Sequence, residues 1–227
     1  MDLHYVTSPT NSGRLHREFL DGTTEGVAED QIIHGDFQEI INILEPHWAD
    51  LIVSGPSVHG NGDERWGREL SWVESWKVAL KECGILAIVG PMHFMWTIGR
   101  AMQQVKCAIH YVTRVTVKNS LANFSSQAVI IATSDNRADA VGPVNLEFEI
   151  LTKPNHSNGF HLELGQRLVE TYSKPGDIVL DPFCGYGTVP ISCIQTGRSW
   201  IGCEITQDTI DQAYDRIESL TDYRRKA

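Results

Sequence analysis

From residue 31 onward, short apolar runs alternate with segments that carry an apolar residue at every third or fourth position. The apolar runs predict strands at 32–36, 50–54, 85–89, 108–117, 127–133, 177–181 and 200–203. The periodic segments predict helices at 37–44, 66–80, 92–105, 161–172, 190–196 and 208–220, and Cys83 and Gly84 are expected to end the second of these. Strands that alternate with helices build parallel β–α–β units, so we expect an α/β fold with a doubly wound, mostly parallel sheet.

The pattern is absent from the first thirty residues. Residues 1–30 are rich in Ser, Thr, Gly, Asp and Glu and show no sustained apolar period, which predicts a flexible N-terminal arm. Residues 31–227 contain no internal linker or repeat, so we expect one domain there. A chain of 227 residues is long enough to bury roughly 70% of its unfolded surface without structural staples.

Composition narrows the class of function. Nineteen basic and 29 acidic residues give a net charge of −10, which lowers the expectation of a lone nucleic-acid binder, because phosphate contacts need a basic face. The five cysteines form no C-x-x-C pair, and the nine histidines show no ligand spacing, so we expect no metal site and a reducing, cytoplasmic location. No run approaches the roughly 20 apolar residues of a membrane span.

The strongest local signal lies at the end of the strand at 177–181. The chain passes from Asp181 directly into a loop that contains Gly185 and Gly187, and a helix follows. Glycines in this position allow a sharp turn and a close approach to a ligand. Glu204 ends the next predicted strand, at an offset that suits a carboxylate accepting the hydroxyls of a ribose. These features predict a nucleoside-containing cofactor at the carboxyl ends of the strands.

The nature of that cofactor follows from what the loop lacks. Pro190 stands where a dinucleotide loop would carry its third glycine, and no Lys-Ser or Lys-Thr pair is present for a triphosphate. The loop therefore suits a nucleoside without a diphosphate, such as S-adenosylmethionine. Too few residues follow Thr188 to complete a doubly wound sheet, so the remaining strands must come from upstream, which is a permuted order.

Residues 31–58 and 150–217 resemble the amino-group DNA methyltransferases, which methylate adenine N6 or cytosine N4, with the permuted, beta-class motif order. The segment Leu180 to Thr188 is similar to the family's L-D-P-F-x-G-x-G-T loop, and Trp200 to Ile205 is similar to its F-I-G-I-E strand. The segment Ile33 to Phe37 resembles the family's I-x-x-G-D opening, whose acid approaches the cofactor adenine. The resemblance implies a methyltransferase fold and an S-adenosylmethionine site formed by Asp36, Phe37, Pro56, Asp181, Pro182, Phe183, Cys184, Gly185, Gly187, Thr188, Glu204 and Ile205.

The catalytic loop departs from the family pattern, which reads D-L-I-x-T/S-D-P-P-Y. Ser54 is followed here by Gly55 in place of the acid, by the retained Pro56, by Ser57 and by Val58 in place of the aromatic residue. In the family, the acid of this loop and a backbone carbonyl accept the two hydrogens of the target amine, whose lone pair is otherwise delocalised into the base ring. In this chain, Gly55 offers no side-chain acceptor, and the Ser57 hydroxyl is a weaker hydrogen-bond acceptor than a carboxylate. Val58 has no π face on which a flipped base could stack.

Three interpretations stay open. In the first, the chain is an active amino-group methyltransferase that uses Gly55, Pro56 and Ser57, with DNA as the substrate and RNA as an open alternative. In the second, it is an inactive relative that works as a subunit or regulator of an active methyltransferase, in a homo- or hetero-oligomer. In the third, it binds another small molecule or nucleotide on the same fold. Asp63 or Glu64 could fold back to supply the missing carboxylate, although a solvated loop is the simpler interpretation.

Overall fold

A computed structural model describes residues 16–18, 24–26, 29–56, 71–118, 124–134, 149–150 and 161–222. The strands within these residues are β1 His16–Glu18, β2 Thr24–Gly26, β3 Gln31–His34, β4 Ala49–Ser54, β5 Leu80–Pro91, β6 Ala108–Lys118, β7 Phe124–Thr133, β8 Glu149–Ile150, β9 Ile178–Asp181 and β10 Ser199–Glu204. The α-helices are α1 Phe37–Ile40, α2 Ser71–Ala79, α3 Met92–Gln104, α4 Leu162–Tyr172, α5 Thr188–Thr196 and α6 Gln207–Leu220.

Eight of these strands form one sheet, in the order β3-β10-β9-β4-β5-β7-β6-β8. The first five strands are parallel to one another, β7 runs antiparallel to both of its neighbours, and β8 is parallel to β6. The expected mostly parallel sheet is therefore confirmed. β1 and β2 form a separate antiparallel pair.

The permuted order is visible in the centre of the sheet. β9 comes late in the chain, yet it lies between β10 and β4, and Leu51 of β4 is in register with Val179 of β9. From β9 the chain continues through α5 to β10 on one side, whereas from β4 it continues through α2 to β5 on the other side. The boundary between β9 and β4 is thus a topological switch point, where open α/β sheets bind ligands at their carboxyl ends.

Helices cover both faces of the sheet. α1, α2 and α3 pack on one face through Phe37, Trp76 and Ile98, and α4, α5 and α6 pack on the other through Leu168 and other apolar residues. The central strands are buried on both sides, and all four residues of β9 are buried. Each fully buried aliphatic side chain of this kind contributes about 1.5–3 kcal/mol.

Two local predictions are wrong. α2 ends at Ala79, and Cys83 and Gly84 lie inside β5 rather than ending a helix, because Leu80 already pairs with Ala49 of β4. A glycine ends a helix by adopting a positive φ, and Gly84 is not among the positive-φ glycines. The helix predicted at 37–44 ends at Ile40 and continues as one 3₁₀ turn.

The boundary of the N-terminal arm at residue 30 stays a prediction. The structure places the short β1–β2 pair within residues 16–26. Asp30 is tied to the main sheet, because its N–H donates to the Trp200 carbonyl at 2.7 Å and its Oδ1 accepts from the Trp200 N–H at 3.1 Å.

The described residues contain neither a membrane-spanning helix nor a metal-binding cluster. No described helix is both long and apolar enough to cross a membrane. No group of three or more His, Cys, Asp or Glu side chains in the described part of the chain could hold a metal ion.

Candidate cofactor site and catalytic loop

Four parallel strands end together at one edge of the sheet, which we call the carboxyl edge. His34, Glu204, Asp181 and Ser54 are the last residues of β3, β10, β9 and β4, in that order across the sheet. The structure therefore brings the predicted ribose acid and the glycine loop to the same edge, at the switch point.

Two left-handed glycines shape the loop between β9 and α5. Gly185 has φ +50° and Gly187 has φ +75°, conformations that side chains rarely adopt. Among the described residues, a Cβ on Gly185 would meet only the Phe183 carbonyl, at 3.9 Å, so no described side chain occupies the space beside it. A Cβ on Gly187 would lie 3.2 Å from Ile217 Cδ1 of α6. The first glycine leaves room for a ligand, and the second lets α6 pack closely.

Glu204 is half-buried and turned toward the loop. Its Oε2 accepts a hydrogen bond from the Gly185 N–H at 3.1 Å, and its Oε1 accepts one from the Thr206 N–H at 3.0 Å. Each carboxylate oxygen can accept more than one hydrogen bond. The carboxylate is thus fixed in orientation by the backbone and still has acceptor capacity at the carboxyl edge.

Asp181 connects the two halves of the site. Its carboxyl group is 2% exposed, and its Oδ1 accepts from Ser54 Oγ at 2.8 Å and from the Phe183 N–H at 3.1 Å. Burial raises the pKa of Asp181 to about 7, although both hydrogen bonds lower it. Ser54 was not among the site residues predicted from the sequence. The signal was present, because Ser54 occupies the Thr/Ser position of the family's catalytic loop.

We expect the stability of the protein to fall as the pH rises from about 5.5 to about 7, by about 2 kcal/mol from Asp181 alone. The folded carboxyl group, with its raised pKa, retains a proton that the unfolded chain has already released above the ordinary value of 3.8. Urea unfolding across this range should show the loss relative to Asp181→Asn, which does not titrate but keeps an oxygen acceptor. Parallel pH curves for the two proteins would contradict the expectation.

Cys184 fills the space above a glycine of the neighbouring strand. It is 4% exposed, and a Cβ on Gly202 would lie 2.7 Å from its sulfur. Burial raises the pKa of the Cys184 thiol, so the thiolate is disfavoured and no nucleophilic role is indicated. The Cys184 side chain therefore contributes packing, and its backbone takes part in the hydrogen bonds of the loop.

Phe183 joins the loop to α2. Its ring contacts Trp72 and Trp76 edge-on, with centroid distances of 6.1 Å and 5.8 Å, and the two tryptophan rings lie 4.4 Å apart. Aromatic pairs in such arrangements stabilise beyond their buried area by about 0.5–1.5 kcal/mol. Both tryptophan side chains are buried in the core. Trp96 is instead 76% exposed.

The residues expected near the adenine occupy different environments. Asp36 is exposed and caps α1, because its Oδ1 accepts from the Gln38 N–H at 2.8 Å. The Phe37 ring is 2% exposed within the core, whereas Ile205, next to Glu204, is 66% exposed. An exposed apolar side chain therefore lies beside the predicted ribose acid. The assignments of Asp36 and Phe37 to the cofactor stay predictions.

The start of the catalytic loop follows β4 directly. Gly55 is half-buried and Pro56 is buried, adjacent to the Ser54–Asp181 hydrogen bond. Ser57 and Val58 lie outside the described residues. The same holds for Asp63 and Glu64, the other candidates in this region.

Residues 132–215 match the model of a family described as DNA methylase. The resemblance to the amino-group DNA methyltransferases is confirmed. These residues, the DNA methylase segment, contain β9, the glycine loop, β10 and most of α6. The part of the site built around Asp181 and Glu204 therefore lies inside the matched segment, and the altered catalytic loop lies outside it.

Two curated relatives share a stretch of sequence with the chain. The type II methyltransferase M.Cfr9I of Citrobacter freundii is 38% identical over 74 residues, which are 31% of this chain and 25% of that protein. The type II methyltransferase M.XycI of Xanthomonas campestris pv. cyanopsidis is 35% identical over 74 residues, with the same shares. The chain thus spans about a quarter of the length of these curated relatives.

Solved structures match over most of the chain. The M1.HpyAVI–SAM complex has a TM-score of 0.65 and 21% identity, and the match covers 82% of this chain and 98% of that one. A putative DNA modification methylase of Thermus thermophilus, complexed with S-adenosyl-L-methionine, has a TM-score of 0.65 at 19% identity over 84% and 94% of the two chains. The cytosine-N4-specific PvuII DNA methyltransferase has a TM-score of 0.62 at 15% identity over 84% and 89%. The expected Rossmann-like methyltransferase fold is confirmed.

Proposed function

We propose that the chain binds S-adenosylmethionine at the carboxyl edge and transfers its methyl group to an exocyclic amine of adenine or cytosine in DNA. The observation that carries this proposal is Glu204, held by the Gly185 and Thr206 N–H groups at the end of β10 beside the glycine loop. The relatives are methyltransferases, and two of the matched structures contain the same cofactor.

The residues at the carboxyl edge fit this cofactor. Its ribose needs an acceptor, which Glu204 supplies, and its adenine needs an apolar surface, which the exposed Ile205 supplies. Within the described part of the chain, no side chain fills the space beside Gly185. S-adenosylmethionine carries a net positive charge, which suits the carboxylate of Glu204. When bound, it supplies an electrophilic methyl group.

The protein's own contribution is orientation. The Ser54–Asp181 hydrogen bond links the strand before the catalytic loop to the strand before the glycine loop. This link holds the acceptor side and the donor side of the site in one geometry, and positioning of this kind supplies several kcal/mol of a reaction barrier. At the acceptor side, the backbone carbonyl of Gly55 and the side chain of Ser57 are the candidates for binding the target amine.

A second candidate function is that of an inactive subunit or regulator of an active methyltransferase. The observation that favours it is Gly55, since the residue after Ser54 has no side chain to accept an amine hydrogen. The net charge of −10 points the same way, because a lone DNA-binding enzyme is helped by a basic face, which a basic partner subunit would provide.

One pair of assays separates these functions. Calorimetric titration of S-adenosylmethionine and its demethylated product into the purified chain tests the cofactor site, for which we expect micromolar binding. Transfer of a radiolabelled methyl group to unmethylated DNA and RNA then tests catalysis. Binding without transfer supports the inactive relative. Absence of binding to either compound contradicts the proposed methyltransferase activity and means that the glycine loop is a relic, which directs the search to protein partners.

We expect the double substitution Gly55→Asp with Val58→Tyr to raise or create amine methylation. A restored carboxylate acceptor contributes about 3 kcal/mol, equivalent to roughly a hundredfold in rate, and a restored ring stacks on the flipped base. The measurement is the rate of radiolabel incorporation into DNA at saturating cofactor, compared with the parent chain and with Gly55→Asp alone. Unchanged cofactor affinity is the control. An unchanged rate at unchanged affinity would show that the loss of activity extends beyond this loop.

A further inference from the structure

α6 lies directly over the glycine loop. A Cβ on Gly187 would come within 3.2 Å of Ile217 Cδ1 and 3.5 Å of Ala213 Cβ, so the helix and the loop are as close as a glycine allows. Arg216 stands next to Ile217 on this helix. The α6 residues that face the loop are thus two apolar residues and one arginine.

Arg216 reaches from α6 into the loop. Its Nη1 donates to the Tyr186 carbonyl at 2.7 Å and to Thr188 Oγ1 at 3.1 Å. The side chain is half-buried, and burial lowers the pKa of its guanidinium. One group therefore holds both the centre of the loop and the first residue of α5.

The position is electrostatically unfavourable for a cation. The N-terminus of a helix carries a partial positive charge, and a guanidinium beside the first residue of α5 is repelled by it. The Nε atom of Arg216 is buried and has no hydrogen-bond partner among the described residues, which adds a desolvation cost. These two costs indicate that a specific benefit, other than general packing, accounts for an arginine here.

The glycine loop is fixed by hydrogen bonds from both the backbone and side chains. Backbone hydrogen bonds fix its two ends, from the Cys184 N–H to the Cys203 carbonyl and from the Gly187 N–H to the Cys184 carbonyl. Between them, Glu204 holds the Gly185 N–H, and Arg216 holds the Tyr186 carbonyl. Asp181 holds the Phe183 N–H from the strand before the loop, and Glu204 is the proposed ribose ligand, so Arg216 is the side chain that holds the loop from α6.

We propose that Arg216 is a positioning residue, which holds the Tyr186 carbonyl and the Thr188 hydroxyl so that the glycine loop is preorganised for S-adenosylmethionine. The inference rests on the proposed cofactor site and adds to it a residue outside the loop and outside the family motifs quoted above. A loop that must be ordered at the moment of binding lowers affinity, because ordering costs conformational entropy.

The experiment compares Arg216→Met with Arg198→Met. Arg198 is a matched control, because it is also half-buried and also ties backbone in the same part of the chain, with Nη2 donating to the Ser173 carbonyl at 2.7 Å. It lies just before β10, at the opposite edge of the sheet from the glycine loop. Both variants lose a charged donor, but only Arg216→Met releases the loop.

Two quantities are measured for each variant, the dissociation constant of S-adenosylmethionine by calorimetry, well below the melting temperature, and the melting temperature itself. We expect Arg216→Met to weaken binding about tenfold or more, since hydrogen bonds to charged groups are lost. We expect Arg198→Met to lower the melting temperature and leave the affinity unchanged. Arg216→Lys, which keeps the charge but offers one ammonium to two acceptors, should recover part of the affinity.

The outcomes separate the inference from the function on which it rests. Parent-like affinity in Arg216→Met, or an equal loss in Arg198→Met, overturns the positioning role. If Arg216→Met does not fold, Arg216→Lys decides alone, and parent-like affinity there also overturns it. Failure of the unsubstituted chain to bind S-adenosylmethionine in the same titration contradicts the proposed function instead.

Discussion

Replacing Glu204 with alanine is expected to weaken S-adenosylmethionine binding by about tenfold to a hundredfold, because each hydrogen bond to a charged group contributes about 1.5–3 kcal/mol. The carboxylate is held by two backbone N–H groups, so it is already oriented when the ligand arrives. The affinity of Glu204→Gln should lie between those of the unsubstituted chain and Glu204→Ala, because the glutamine amide keeps one oxygen acceptor. Calorimetric titration measures all three affinities.

The loss in Glu204→Ala has two possible sources, the ribose contact and the released loop. A product analogue that lacks the ribose 2′-hydroxyl distinguishes them, because the unsubstituted chain should discriminate against it and Glu204→Ala should not. Glu170→Ala is the control, since Glu170 is an exposed glutamate in the last turn of α4, close to the Ser173 carbonyl that Arg198 binds just before β10, and so lies at the opposite edge of the sheet from Glu204. Equal discrimination in Glu204→Ala and the unsubstituted chain would remove Glu204 from the ribose site.

Replacing Trp76 with alanine is expected to lower the free energy of unfolding by about 3–5 kcal/mol, as deletion of a large aromatic side chain from a core does. Trp76 is fully buried, and its ring packs between Trp72 and Phe183 of the glycine loop. The same substitution should therefore also weaken cofactor binding, because Phe183 loses its support. Urea unfolding gives the stability, and titration gives the affinity.

Two matched substitutions sharpen this test. Trp96→Ala removes the same side chain from a position that is 76% exposed and should change stability by no more than about 0.5 kcal/mol. Trp76→Phe should cost less than Trp76→Ala, because the Trp76 Nε1 is buried without a hydrogen-bond partner among the described residues and its loss relieves a desolvation cost. A loss in Trp96→Ala as large as that in Trp76→Ala would contradict this account of the core.

The centre of the fold could be predicted from sequence because two independent patterns agree there. The apolar run before Asp181 and the glycines after it specify a strand that ends in a ligand loop, and both are found. The prediction at Gly84 is wrong because a glycine after a segment with helical periodicity is typical of a helix end. Here the strand has already begun at Leu80, which pairs with Ala49. Pairing between distant segments is not visible in local periodicity.

The candidate site was predictable for motif residues and not for their supports. Glu204 and the loop glycines are recognised by spacing, because the chemistry requires a carboxylate at one strand end and flexible backbone at the next. Ser54 and Arg216 act through side-chain contacts to Asp181 and Tyr186, over 127 and 30 residues of sequence respectively. The position of Ser54 in the catalytic-loop motif marks the residue but not its partner, and nothing in the local sequence specifies either contact, so both contacts became apparent only in the folded chain.

The central position of β9 also has a consequence for how the protein folds during its synthesis. β4 is made early, but its neighbour on one side, β9, follows more than a hundred residues later, and β3 has to wait for β10 in the same way. Until then the growing chain presents an unpaired, apolar edge of β4, which is a template for aggregation. The β4-β5-β7-β6 half of the sheet can pair before β9 is made, so we expect the β3-β10-β9 half to be added last, and the exposed edge of β4 to be the point at which the incomplete chain is most prone to aggregate.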